Sequence, residues 1–198
     1  AESLLSAKLL HVLLGSFVLA AATSMLNQYL EIKQDSLMER TASRPLAAGR
    51  FSPAVARFLG VFLALLGLAY IFLLVTPLCA AVSAVTVGVY VFFYTPLKRV
   101  TSFSLLVGAF AGALPPVIGL TAFTGELVPS GWSIFTIQFI WQIPHFLAIA
   151  WMYREDYERA GFPMLTVVDK KGSATALQVV GWTLALVPAS LMPAIVLT

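Results

Sequence analysis

Asn27, Glu31 and Asp35 recur at i, i+4 and i+8 in Asn27-Gln28-Tyr29-Leu30-Glu31-Ile32-Lys33-Gln34-Asp35. If the apolar run before them continues as helix, all three lie within about 80° of arc on one face. Two carboxylates one turn apart repel, and a hard cation relieves the repulsion. Mg²⁺ is commonly held by one or two carboxylates, with substrate phosphates and water completing its shell. The same spacing also suits a solvated helix end in which the acids pair with Lys33 or Arg40. A second acidic group follows in Arg154-Glu155-Asp156-Tyr157-Glu158-Arg159, and two such clusters facing each other can hold two cations around a diphosphate. Lys98 and Arg99, in Tyr94-Thr95-Pro96-Leu97-Lys98-Arg99, are placed either to hold phosphate oxygens by charge-assisted hydrogen bonds or simply to anchor topology.

Two further groups could take part. The aromatics Phe92, Phe93, Tyr94, Phe110, Trp141, Phe146 and Tyr153 offer ring faces that stabilise a cation, although each also suits packing or a membrane interface. His145 lies within a long apolar run, in Trp141-Gln142-Ile143-Pro144-His145-Phe146, where a polar group is costly unless it serves a partner or a cavity. An interhelical hydrogen bond, haem ligation and substrate contact are the readings open to it. His11 is expected to be structural.

The elements that must position these residues follow from composition. Of 198 residues, 60% are hydrophobic and 11% charged, and mean hydropathy is +0.92, which excludes a soluble globular domain. The net charge of +3 comes from short loops, so a soluble nucleic-acid binder is excluded too, and the single Cys79 says nothing of redox compartment. Apolar runs near Leu9 to Leu26, Val55 to Val75, Leu78 to Tyr94, Phe103 to Phe123, Trp132 to Tyr153 and Ala174 to Leu197 are each near the ~20 residues that cross a bilayer. All must be helices, because lipid leaves backbone groups no other partner. The expectation is therefore an all-α, polytopic transmembrane bundle of about six spans. The first run, with Lys8 before it and Ala20-Ala21-Ala22 near its end, has some features of a signal peptide but is read here as a span. Lys33, Arg40, Arg44, Arg50, Arg57, Lys98, Arg99, Arg154, Arg159, Lys170 and Lys171 all fall on one side, which the positive-inside rule makes cytoplasmic. Gly108 and Gly112 form a GxxxG that lets helices approach closely, and Pro115-Pro116 with Gly119 must interrupt the fourth span.

Taken together, four blocks resemble the protoheme IX farnesyltransferase (heme O synthase) branch of the UbiA-type intramembrane prenyltransferases. They are Asn27-x3-Glu31-x3-Asp35-x2-Met38-x-Arg40-Thr41-x2-Arg44-Pro45-Leu46, Tyr94-Thr95-Pro96-Leu97-Lys98-Arg99-x-Thr101, Trp141-Gln142-x-Pro144-His145-Phe146, and Asp156-Tyr157-x2-Ala160-Gly161-x-Pro163-Met164-Leu165. The resemblance implies that Asn27, Glu31 and Asp35 bind Mg²⁺ and diphosphate, with Asp156 contributing a second motif to the same metal chemistry. It further implies that Arg40, Arg44, Lys98, Arg99, His145 and Tyr157 bind substrate. The implied reaction is transfer of a farnesyl group from farnesyl diphosphate to a vinyl group of haem b, giving haem O. It would take place in a bacterial or mitochondrial inner membrane, with the site loops on the cytoplasmic or matrix side and terminal-oxidase assembly proteins as candidate partners.

Glu31 departs from the family's usual Asp by one methylene. Members also carry a helix before the Asn27 block and further helices beyond the Asp156 loop, so residues 1–198 are read as one transmembrane prenyltransferase domain lacking helices at one or both ends. Two other functions remain open: prenylation of a quinone or another aromatic acceptor, and a membrane transporter with the interrupted fourth span as a gate.

Overall fold

A computed structural model describes residues 2–196, with side chains described from residue 7 onward. Every regular element among them is helical, and six stretches are long and apolar enough to cross a membrane: Ala7–Leu30, Pro53–Leu74, Pro77–Leu97, Ser104–Thr124, Pro129–Met152 and Ser173–Val196. They coincide with the six apolar runs to within a few residues; Leu197, the expected end of the last, lies outside the described residues. The chain is an integral, multi-pass membrane protein.

The helices are α1 (Glu2–Leu30), α2 (Ile32–Leu37), α3 (Pro53–Leu74), α4 (Pro77–Gly88), a π-helical turn (Val89–Tyr94) and α5 (Thr95–Leu97). After these come α6 (Ser104–Ala113), α7 (Pro115–Thr124), α8 (Pro129–Met152), α9 (Arg154–Arg159), α10 (Leu165–Val168) and α11 (Ser173–Val196). The helices α3, α4, α7 and α8 each start on a proline. There its missing N–H costs nothing and its fixed φ favours the first turn. Thr76 adds a cap before α4 by accepting from the Cys79 N–H at 3.1 Å. The third span is continuous from α4 through the π-helical turn to α5, and that turn shifts the helical register near a functional face. The Thr95 hydroxyl donates to the Tyr90 carbonyl at 2.8 Å and so ties off the widened turn.

Small residues set the close contacts, at the GxxxG and also between the first two spans. The tight pairing is between α1 and α3, where a Cβ on Gly15 would stand 2.4 Å from Ile71 Cγ1 and one on Gly67 2.8 Å from Leu19 Cδ2. Gly108 and Gly112 admit single side chains from two different neighbours. A Cβ on Gly108 would lie 2.6 Å from the Tyr94 ring, and one on Gly112 would lie 2.2 Å from Gln142 Oε1. Gln142 is buried and donates to the Ala109 carbonyl at 3.3 Å, joining α8 to α6. The fourth span is interrupted as expected, between α6 and α7 at Leu114, ahead of Pro115. At the outer edge α11 packs along α8 and turns Leu177, Leu184 and Leu191 outward, where lipid suits them. His11 accepts or shares a hydrogen bond with the Tyr70 hydroxyl at 2.7 Å, a structural link between α1 and α3.

Candidate active site

Helix α1 is interrupted at Glu31 (φ −103°, ψ 14°) before α2 resumes. The hydrogen-bond register survives the interruption, because the Glu31 N–H donates to the Asn27 carbonyl at 2.9 Å and the Asp35 N–H to the Glu31 carbonyl at 2.8 Å. Asn27, Glu31 and Asp35 consequently stay on one face, all buried, with the two carboxylates only 2% exposed. The solvated helix end considered above is not what forms.

Buried carboxylates need partners, and each has its own cation. The Lys98 ammonium donates to Glu31 Oε1 at 3.1 Å and to Oε2 at 3.2 Å. One guanidinium nitrogen of Arg44 donates to both Asp35 oxygens at 2.9 Å. The Asn27 amide bridges Glu31 Oε2 at 3.2 Å and the Thr95 hydroxyl at 3.3 Å, which fixes its oxygen and nitrogen relative to α5. Lys98 also sits over the Phe162 ring, 4.7 Å from its centroid, and 5.9 Å from that of Tyr94. Phe162 reaches this position because Gly161, at φ 72°, lets the chain turn back after α9.

These groups surround a cavity of about 210 Å³ whose walls also include Arg40, Tyr90, Tyr94, Phe146 and Tyr157. A second cavity, about 470 Å³ and mainly apolar, with Ser16, Thr23, Ser83 and Thr86 among its lining, lies among α1, α4, α6 and α7. Tyr90 is a wall of both cavities, and Gly112, Pro115 and Gly119 from the interrupted fourth span line the apolar one. Tyr90 was not singled out from the sequence; its only signal there is its place one turn before Tyr94.

Three of the expected site residues stand apart. Asp156 is buried, but it lines a different depression with Glu39, Arg40 and Arg159. It accepts from the backbone N–H of Glu39 at 3.3 Å and of Arg40 at 3.2 Å, and from the Arg159 guanidinium. Desolvation raises its carboxyl pKa, but Arg159 and the two N–H groups outweigh that and hold it below the usual carboxylate value. Arg99 is exposed and donates to the Leu30 carbonyl, capping the C-terminus of α1 instead of facing the cavity. His145 is exposed on α8, stacked on Trp141 with ring centroids 4.8 Å apart and planes 13° from parallel. Its neighbour Phe146 reaches the polar cavity, whereas His145 does not.

Among the described residues no group of three or more His, Cys, Asp or Glu converges as a metal site. Asn27, Glu31 and Asp35 nonetheless make an all-oxygen set of two carboxylates and a carboxamide beside the polar cavity. That donor set fits a hard divalent ion whose remaining positions are filled by phosphate and water, and it would not by itself retain a softer metal.

The chain is 47% identical to a protoheme IX farnesyltransferase of Solibacter usitatus over 188 residues, covering 95% of this chain and 64% of the relative. It is 46% identical to one of Salinibacter ruber, covering 93% and 65%, and 42% identical to one of Opitutus terrae, covering 92% and 62%. It thus spans somewhat less than two thirds of each of these relatives. No solved structure matches it. A face of buried acids with their cations, beside a mainly apolar cavity that shares one tyrosine wall with it in a helical membrane bundle, accords with the match of residues 2–198 to the UbiA prenyltransferase family, and the chain belongs to that family.

Proposed function

We propose that this chain carries the catalytic face of a protoheme IX farnesyltransferase, which moves a farnesyl group from farnesyl diphosphate to a vinyl group of haem b and so makes haem O. The observation that carries this reading is the adjacency of a polar and a mainly apolar cavity that share Tyr90 as a wall. A prenyl diphosphate has the same two parts, a highly charged head and a long hydrocarbon tail. The names of the three relatives support haem as the acceptor.

Asn27, Glu31 and Asp35 would hold Mg²⁺, which when bound supplies charge neutralisation for the leaving diphosphate. Lys98, Arg44 and Arg40 are the cations of the cavity wall and bind the phosphate oxygens, Lys98 and Arg44 by turning from the carboxylates they pair with. The tail lies in the apolar cavity and places the first prenyl carbon near Tyr90. The rings of Tyr90, Tyr94, Phe146 and Tyr157 then surround the carbon from which diphosphate departs, where their faces favour positive charge. The C–O bond to diphosphate breaks, the haem vinyl group supplies the electron pair of the new C–C bond, and water captures the resulting cation to leave a hydroxyl and release a proton. No protein nucleophile is required. Trp141 and His145, stacked and exposed beside Phe146, form a shelf at which a ring nitrogen of the imidazole would be available to the iron of a macrocycle. By the positive-inside rule the basic loops favour a polar cavity on the cytoplasmic side of a bacterial inner membrane, or on the matrix side in mitochondria.

Transport explains the arrangement less well, because the buried acids collect at one end of the spans and not at the midplane expected of a transport site. Membranes carrying Glu31→Ala or Asp35→Ala should lose haem O synthesis by about a hundredfold or more, the scale of removing one group that stabilises developing charge. Near-normal turnover in either variant would overturn the assignment of the acidic face, and product formed only on a quinone acceptor would overturn haem.

A further inference from the structure

Asp156 belongs to the acidic group that the resemblance assigns to metal binding, yet its surroundings describe another task. Both of its oxygens face the segment from Met38 to Arg40. Oδ1 accepts the Glu39 N–H at 3.3 Å together with the Arg159 guanidinium, and Oδ2 accepts the Arg40 N–H at 3.2 Å. The depression it lines, about 760 Å³, is separate from the cavity of Asn27, Glu31 and Asp35. Arg40 alone lines both.

The segment is held from several sides. Met38 is 2% exposed and packs in a cluster with Tyr157, Phe162 and Met164. The Arg40 guanidinium lies over the Tyr153 ring, 5.2 Å from its centroid, immediately before α9. Thr41 donates to the Asp35 carbonyl at 3.1 Å, and the Arg44 N–H donates to the Thr41 carbonyl at 2.9 Å. A carboxylate that takes two successive backbone N–H groups fixes a peptide plane in orientation as well as position. Here that plane carries Arg40 and leads directly to Arg44, the two arginines of the cavity wall.

We infer that Asp156 is a positioning residue: it pins the Glu39 and Arg40 backbone so that Arg40 and Arg44 meet the diphosphate, and it does not coordinate the ion. The inference rests on the reading of the cavity as a diphosphate site. It gives the second acidic group a mechanical connection to the first through the chain, in place of a shared metal.

Two changes separate the roles in the full chain reconstituted in lipid nanodiscs. Asp156→Asn keeps one acceptor oxygen and loses the other. Replacing the peptide bond before Arg40 with an ester removes that N–H and leaves every side chain, Asp156 included, intact. Mn²⁺ alone, followed by its spin resonance, reports the ion site; inorganic pyrophosphate at saturating Mn²⁺, followed by calorimetry, reports the arginines. Both changes should leave Mn²⁺ affinity within about twofold and weaken pyrophosphate by about tenfold, the scale of one hydrogen bond to a charged group. In Asp156→Asn the Glu39 amide should also exchange with deuterium about tenfold faster. Weaker Mn²⁺ binding in Asp156→Asn, with the ester leaving both probes unchanged, would overturn the inference and make Asp156 a ligand. Unchanged pyrophosphate binding in both would overturn it as well. Wild-type chain that binds neither probe would instead overturn the diphosphate reading on which it stands.

Discussion

Replacing Lys98 with methionine isolates the ion pair at the centre of the polar cavity. Methionine preserves an unbranched, apolar stem and removes the ammonium, with its contact to Glu31 and its place over the Phe162 ring. Glu31, 2% exposed, then keeps one hydrogen bond, from Asn27 at 3.2 Å, in place of contacts to both oxygens at 3.1 and 3.2 Å. Removing one partner of a buried pair costs about 3–5 kcal/mol, and the surviving amide bond offsets about 1 kcal/mol of that. A net loss of about 3 kcal/mol follows for Lys98→Met. The double variant Glu31→Gln with Lys98→Met leaves no uncompensated charge and should cost about 1 kcal/mol or less. Unfolding titrated with SDS in mixed micelles, followed by tryptophan fluorescence, measures both, and the difference between them is the signature. Added Mg²⁺ should restore part of the loss in Lys98→Met and none in the double variant, because only the former retains the freed carboxylate. A single variant as stable as wild type, within about 0.5 kcal/mol, would refute the claim that Glu31 is held in a water-poor site by Lys98.

Other outcomes are equally specific. Gly112→Ala drives a methyl group into the Gln142 amide, 2.2 Å from its oxygen, and should cost about 1–3 kcal/mol in the same unfolding assay, whereas Gly181→Ala, with open space around it, should be neutral or slightly stabilising. Asp169 is held below the usual carboxylate value by the Thr175 N–H, as Asp156 is, against desolvation, by Arg159 and the Glu39 and Arg40 N–H groups. Such depressed groups contribute stability that is complete above the ordinary carboxylate pKa of about 4 and is lost as pH falls through the lower native values. Unfolding midpoints should therefore stay level from neutral pH down to about 5 and decline below about 4, with a smaller decline in Asp169→Asn. His145→Ala should weaken haem b binding, read from the Soret band, by about tenfold or more without changing pyrophosphate affinity; equal loss of both ligands would show that the variant disturbs the fold instead of the shelf.

The spans were legible because hydrocarbon permits one answer for a run of some twenty apolar residues. The face of Asn27, Glu31 and Asp35 was legible for a related reason: helical periodicity at i, i+4 and i+8 holds across the interruption at Glu31. Tyr90 was hidden, since its position on two cavities depends on the π-helical turn, and no residue type encodes such a register shift. The glycine pair was legible in character, and its partners were not. Small residues at 108 and 112 do mark close approach, but only the packed bundle shows that a tyrosine ring and a glutamine amide fill the two notches. Arg99 and Lys98 are adjacent in sequence and carry the same charge, so their division of labour, a helix cap and a cavity wall, appears only once α1 and α5 are placed together. Asp156 could be grouped with the other acids by composition, whereas two of its three partners are backbone N–H groups more than a hundred residues away.

The central claim is that the polar and apolar cavities together serve farnesyl transfer to haem. Its most direct test supplies membranes containing this chain with haem b, farnesyl diphosphate and Mg²⁺, and follows haem O by chromatography with mass detection. Haem O is expected, its formation stopping with EDTA and with Glu31→Ala. Farnesyl transfer to a quinone with haem b left untouched, or haem O formed undiminished in EDTA, would contradict it.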